Sequence, residues 1–567
     1  MIRVLARLGC QAVCVSALLL GAPKVEAANL SGAYLAATQA DMRDDYAQAA
    51  DYYVQALMLD PDNLELIQSA VVMEVAKGDV EAASALAAKL EEAMPDNQIA
   101  VLVLIADALA LEDFEEASEL LENRSGEVNP LLLGLARGWI AVGQQDFAVA
   151  RERFDEMGGN NALGAYGQYH KALALAFAGD FSSAETIMAG GSNGPLHVDR
   201  SALAAHAQIL AQIGRENEAI ALLDDVLSAG FPDAALTTLR DRLAAGEEVA
   251  FTEVRSAREG AAQAFQTLAN ALASSESERL ALIHSRLAAH ISPSLVEADL
   301  LTADILEAEG QYELAEQALD QIPAESAWYV SAQIRRANVV RLAGDADGGI
   351  EILAQLTQSH PDNVETHSSL GDALRNADRF EEAAGAYSDA LALIDAPQPP
   401  HWVLFYSRGI SNERAGDWEA AEADFLAALR LEPDQPLVLN YLGYSMVEKK
   451  ENLDEALAMI EKAVEARPDD GYITDSLGWV LYRLGRVEEA VPHMLRAVEL
   501  TPDDPVINDH LGDVLWLVGR EREAEFQWRR ALSFGPAPDL DMERIRRKLD
   551  IGLDRVLAEE EDAQQDG

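Results

Sequence analysis

The stretch "DSLGWVLYRLGRVEEAVPHMLRAVELTPDD", residues 475–504, decides the fold. A Leu-Gly pair and an aromatic lead into "RLGR", an Ala, an Ala-Val and a proline. The order recurs on both sides, in "NYLGYSMVEKKENLDEALAMIEKAVEARPDD" from Asn440 and "NDHLGDVLWLVGREREAEFQWRRALSFGP" from Asn508. Leu442-Gly443, Leu477-Gly478 and Leu511-Gly512 correspond, as do Ala456, Ala490 and Ala524, then Ala463, Ala497 and Ala531. Pro468, Pro502 and Pro536 follow at a step of 34 residues, and the step from Pro433 to Pro468 is 35 because "KKENLDEA" holds one extra turn residue. Composition agrees with a helical chain, since 49% of residues are hydrophobic, only 6% are aromatic, and Ala and Leu dominate.

This pattern resembles the tetratricopeptide repeat, a family of stacked antiparallel helix pairs. The small residues at its eighth and twentieth positions let the two helices cross closely. The large residue at the twenty-fourth, here Tyr387, Phe425, Met494 or Trp528, is expected to fill the gap to the next repeat. "RLGR", "LVGR" and "RAGD" supply the turn, and the proline ends the second helix by denying it a donor.

Weaker copies continue upstream, among them "DDYAQAADYYVQALMLDPDN", "LEDFEEASELL", "AGDFSSAETIM" and "EGQYELAEQAL". The expected architecture is an all-α superhelical solenoid of about fourteen helix pairs with a C-terminal capping helix. Residues 28–232 read as an N-terminal array, 263–395 as a central array and 401–536 as the best-matching array. Residues 233–262 fit worst and read as an irregular helical junction; 538–558 read as the capping helix and 559–567 as an acidic, disordered tail.

Residues 1–27 read as a secretory signal: Arg3 and Arg7, a short apolar core "AVCVSALLLGA", and "VEA" before Ala28. The expectation is export to the periplasm with no membrane span after signal removal. Cys14 follows Gln11, Ala12 and Val13, a poor lipobox. Both cysteines, Cys10 and Cys14, lie in that segment, so the mature chain is expected to have neither disulfide nor thiol chemistry. Losing three cations and one anion with it takes the net charge from −54 to −56. Such a field repels nucleic acid and anionic lipid and favours basic partners, besides conferring solubility.

No catalytic motif stands out. There is no G-x-S-x-G, no phosphate-cradling glycine loop and no H-E-x-x-H. His284 with His290, and His360 with His367, lack the one-face spacing of metal ligands. The "PDD" and "PDN" clusters read as helix caps. The expectation is a non-enzymatic chain with no cofactor and no metal.

What the resemblance offers is a groove, lined by the second, fifth, ninth, twelfth and thirteenth positions of each first helix. These fall on Tyr406, Arg414, Asn440, Tyr444, Tyr472, Asp475, Trp479, Tyr482, Arg483, Asp509, Asp513 and Trp516. Aromatics with a few charges suit recognition of a protein partner. The alternative is that Trp479 and Trp516 only pack between helices. The Lys and Asn pattern of carboxylate-clamping repeats is absent, as Ser368 and Asp372 show. Arg520, Arg522, Arg529, Arg530, Arg544, Arg546, Arg547 and Lys548 form either a docking surface for an acidic partner or ordinary helix pairs.

The leader and the "NYLGY…DSLGWVLYRLG…DHLGD" end are similar to bacterial envelope tetratricopeptide proteins. Some of these are adaptors that bring cell-wall hydrolases to the periplasmic carboxyl-terminal processing protease. The resemblance therefore implies a protein-binding scaffold or adaptor. The alternatives are a subunit of a polysaccharide assembly or export machine, and a structural solenoid that self-assembles as a homo-oligomer.

Overall fold

In the structure, a computed structural model, the small and large residues of a repeat meet inside one hairpin. A Cβ added to Gly478 would stand 2.8 Å from Met494, and one on Gly512 would stand 2.4 Å from the Trp528 ring. Gly409 meets Phe425, Gly371 meets Tyr387 and Gly443 meets Ile460 in the same way. The twenty-fourth residue therefore seats on the eighth position of its own hairpin, not in the gap to the next repeat. The physical reason is that a bare backbone is the one surface flat enough to receive a ring at that distance.

The local rules around this contact are simple. Asp470 and Asp504 cap their helices by accepting backbone N–H groups, from Ile507 at 2.8 Å in the second case. Between the helices of a hairpin, Gly485 and Gly519 hold φ of 75° and 76°, which only glycine adopts freely. Alanines at the crossing, such as Ala490, Ala497, Ala524 and Ala531, are fully buried.

The structure describes residues 29–566 except 124–125, 127, 159–161, 191–195, 197–199, 229–233, 276, 450–451 and 538–539. The leader 1–27 and both cysteines lie outside the described residues. Among the described residues there are 31 α-helices and no strand. They fall into two compact units, up to Ile352 and from Leu353.

In the first unit the hairpins are α1 (Leu30–Asp41) with α2 (Tyr46–Leu59), and α3 (Leu64–Lys77) with α4 (Val80–Ala93). Next come α5 (Gln98–Ala110) with α6 (Phe114–Asn123), and α7 (Pro130–Gly143) with α8 (Phe147–Glu156). Then follow α9 (Ala162–Phe177) with α10 (Phe181–Met188), and α11 (Arg200–Gln212) with α12 (Glu216–Ser228) and the lone α13 (Ala234–Ala244). The unit ends with α14 (Ala257–Ala273), α15 (Glu278–Ile291), α16 (Val296–Ala308), α17 (Tyr312–Asp320) and α18 (Tyr329–Leu342). The division between units falls inside α19 (Ala346–Ser359).

The misfit region has a clear form here. Beyond α13, residues 245–256 carry no helix, and Gln208 and Gln212 of α11 hold their backbone through Thr252 N–H at 2.7 Å and Val249 C=O at 2.6 Å. This connector delivers α14 and α15 onto the first helices of earlier hairpins: α14 against α7 and α9, α15 against α3 and α5.

In the second unit α20 (Val364–Asn376) pairs with α21 (Phe380–Ala392), and α22 (Trp402–Arg414) with α23 (Trp418–Leu431). The remaining pairs are α24 (Pro436–Glu448) with α25 (Leu453–Ala466), α26 (Gly471–Arg483) with α27 (Val487–Leu500), and α28 (Pro505–Leu517) with α29 (Glu521–Phe534). Where one capping helix and a disordered tail are expected there are two helices, α30 (Met542–Ile551) and α31 (Leu553–Asp566). Gly552 parts them at φ 86°, and the acidic end continues α31.

Gly512→Ala is expected to lower the stability of the second unit by about 1–3 kcal/mol, because the rigid Trp528 ring cannot yield to a Cβ. Gly385→Ala, also in a helix but with nothing near its Cβ site, is expected to gain up to about 1 kcal/mol. Urea midpoints of the two variants check the opposite signs.

Candidate functional site

The first helices of the second unit, α22, α24, α26 and α28, stack side by side and bring their inward positions together. Between them lies a cavity of about 560 Å³. Glu413 and Arg414 line it from the end of α22, with Asn440, Tyr441, Tyr444 and Glu448 from α24. Tyr472, Asp475 and Ser476 of α26, Asp504 at the start of α28, and Val506 and His510 within it continue the wall. Five of the twelve residues read from the sequence as groove positions (Arg414, Asn440, Tyr444, Tyr472 and Asp475) therefore share one cavity. Tyr472 stands open to solvent at 59% exposure.

The neighbouring candidates are placed differently. Trp479 is only 9% exposed and lies in a stack, 4.7 Å from Tyr482 and 3.9 Å from His510, with interplanar angles of 17° and 15°. Its indole N–H donates to Glu448 at 2.7 Å, and Arg483 pairs with the same carboxylate at 3.0 Å. Trp479, Tyr482 and Arg483 thus tie α26 to α24 and α28 from below the cavity. Tyr406 likewise packs among Trp402, Phe425 and Tyr441, with ring centroids about 6 Å apart.

Asp509, Asp513 and Trp516 are covered by the chain's own end. The Lys548 ammonium is buried and donates to Asp509 at 2.9 Å and to Asp513 at 2.6 Å. Trp528 and Arg544 also donate to Asp513. Trp516 sits against Gly552, where a Cβ would lie 2.7 Å from the ring. These three form the seat of α30 and α31, which take the place a further repeat would occupy. Most of the basic run is held in ion pairs: Arg520 with Glu523, Arg529 with Glu525, Arg544 with Glu560, Arg546 with Glu543 and Arg547 with Glu559, while Arg530 donates to the Pro502 carbonyl.

His510, Tyr441, Glu448 and Glu413 did not enter the sequence reading. His510 and Tyr441 hold the sixth position of their repeats, one place beyond the fifth-position residues chosen. His510 Nδ1–H donates to Asp475 Oδ2 at 2.8 Å. Burial alone would depress the imidazole, but the carboxylates of Asp475, Asp509 and Asp513 outweigh it and hold the ring above its ordinary 6.5. Burial pushes the Asp509 carboxyl upward, and the Asp513 charge adds to it.

The corresponding face of the first unit is filled. Gly260 of α14 lies against the Trp139 ring, whose N–H donates to His170 Nδ1 at 2.9 Å; His170 Nε2 in turn meets Thr267 of α14 at 3.0 Å. Complete burial holds His170 neutral, with its pKa down to about 3. Arg279 of α15 pairs with Asp41 at 2.8 Å and Asp44 at 2.5 Å, and His290 meets Asp107 at 3.1 Å.

The repeat length, the hairpins and this inward wall all point the same way, and comparison with known proteins agrees. A family model described as tetratricopeptide repeat matches residues 406–470 and 447–505, and one described as tetratricopeptide repeat-like domain matches 244–404. Residues 244–505 carry tetratricopeptide repeats. Proteins with such repeats generally mediate protein–protein interaction. A TPR repeat-containing protein of Pseudomonas aeruginosa is 31% identical over 160 residues, which is 28% of this chain and 26% of that relative. The match thus spans about a quarter of the relative's length.

Among solved structures, the Cut9–Hcn1 hetero-tetramer of the APC/C aligns over 93% of this chain and 97% of its own, at 15% identity and TM-score 0.38. A tetratricopeptide repeat protein from Parabacteroides merdae aligns over 46% and 98%, at 16% identity and TM-score 0.37. Among the described residues no helix is long and apolar enough to cross a membrane.

Two outcomes follow for the repeat stack. Lys548→Met takes the cation from the Asp509 carboxylate and leaves the buried Asp513 to Arg544 alone, and is expected to cost about 3–5 kcal/mol, read as a urea midpoint. His510 has a raised folded pKa, so its contribution is full below 6.5 and lost as pH rises through the folded value. The penalty of His510→Gln is therefore expected to be larger at about pH 6 than at about pH 8.5.

Proposed function

We propose that this chain is an exported, non-enzymatic adaptor that holds a segment of a partner protein in the groove of its second unit. The observation that carries the reading is the cavity between α22 and α28. There, inward positions of successive repeats converge and remain open, whereas α14 and α15 cover the matching face of the first unit. Tyrosines with few rotatable bonds around a concave wall give large contact area at small entropy cost. Export to the periplasm is supported by the leader pattern of residues 1–27. The narrower role, delivery of cell-wall hydrolases to a carboxyl-terminal processing protease, rests on the resemblance of the C-terminal repeats to envelope adaptors.

The test is capture from envelope extract by the wild-type chain and by a Tyr444→Ala, Tyr472→Ala double variant. Trp479 and Tyr482 are unsuitable targets, since their removal would loosen the stack itself. The double variant is expected to lose about tenfold or more of the captured partner with its melting temperature unchanged. Unchanged recovery would sink the groove. Protease recovered together with a hydrolase supports the narrower role, and a polysaccharide-export complex in its place replaces it.

A further inference from the structure

The floor of the cavity holds acceptors that lack donors. Asp475 is 6% exposed; its Oδ2 accepts from His510, and its Oδ1 accepts from nothing. One repeat earlier, Asn440 Oδ1 is also buried and accepts from nothing. Leaving such atoms unpaired in a buried setting is unfavourable, so the site favours whatever brings N–H groups to them. Glu413 and Asp504 add negative charge around the same opening, while Glu448 beside them is met by Arg483. The guanidinium that the wall holds among the described residues, Arg414, lies 5.1 Å over the Phe380 ring. Tyr441, Tyr444 and Tyr472 supply aromatic surface beside the acids.

Acceptors below, carboxylates around and tyrosines at the sides describe a receptor for a planar cation. Resting on the groove reading above, we infer that the cavity takes an arginine side chain presented by the partner's segment. Its guanidinium donates to Asp475 Oδ1 and Asn440 Oδ1 and lies among the tyrosine rings. A guanidinium suits this better than an ammonium, because its donors diverge in one plane and its faces stack on aromatic rings. A segment ending in a carboxylate is the wrong chemistry, for it would bring acceptors to acceptors and a negative charge to a negative wall. The net charge of −54 works in the same sense at long range, drawing a basic segment toward the chain before the cavity selects it.

The experiment uses the full chain and a short labelled peptide carrying one central arginine between two tyrosines. Sibling peptides carry citrulline or glutamate at that place. Binding is read by fluorescence anisotropy at about 0.15 M salt, where attraction to the general surface is screened. The arginine peptide is expected to bind the wild type about tenfold or more tightly than either sibling, and Asp475→Asn and Asn440→Leu are each expected to remove most of that preference. Equal binding of the three peptides by the wild type, or no binding of any, overturns the inference whatever the variants do.

The two readings part in the Tyr444→Ala, Tyr472→Ala chain. Binding that ignores peptide charge, yet is lost together with partner capture in that variant, overturns the arginine inference and leaves the groove standing. An arginine preference that disappears with Asp475→Asn, alongside partner capture unaltered in the double tyrosine variant, supports the cation site and overturns the groove reading.

Discussion

The second unit depends on one contact repeated down its length, a large side chain lying directly on the backbone of a glycine in the same hairpin. Phe425 on Gly409, Met494 on Gly478 and Trp528 on Gly512 each draw two helices closer than any side-chain pair would allow. That approach determines which residues remain on the inner side of the first helix. With the core stripe committed to the hairpin, residues at the fifth, sixth, ninth and twelfth positions turn toward neighbouring first helices instead. The stack of Tyr482, Trp479 and His510, and the cavity above it, both arise from this division.

The same repeat gives two different inner faces. In the first unit the connector 245–256 interrupts the array, and a hairpin of the chain's own covers the first helices of earlier repeats. The buried relay from Trp139 through neutral His170 to Thr267 fixes it there, with every ring nitrogen used. Among the described residues of the second unit no such hairpin intervenes, and the polar atoms of Asp475 and Asn440 are left with acceptor capacity to spare.

The hairpins were legible because their signals are local: a glycine, two alanines and a proline at fixed spacing state the packing rule within one repeat. The caps were legible for the same reason, as Asp470 and Asp504 show. The site was legible only in part. Trp479 and Tyr482 looked spare because no rule inside their own repeat requires them; their partners, Glu448 and His510, belong to the repeats before and after. Asp509 and Asp513 looked open because the ammonium that meets both belongs to one lysine in the run "RIRRK", where nothing in sequence separates the buried Lys548 from the exposed Arg546 and Arg547. The misfit region announced itself only by fitting badly, since its connector is held by side chains of α11 and leads into α14, whose packing partners α7 and α9 lie far back along the chain.

Those distant contacts bear on how the protein comes into being. The Tyr46 hydroxyl donates to Glu309, 263 residues later, and Arg279 reaches back 238 residues to Asp41. The earliest hairpins therefore emerge during synthesis long before the segment that completes their inner surface exists. The loop to be closed is long, and its entropy must be met before the contacts return anything. The side-chain contacts described in the second unit join residues at most 39 apart, the widest from Lys548 to Asp509. Its repeats can settle in the order in which they are made, while the part of the chain synthesised first must wait for its own later half.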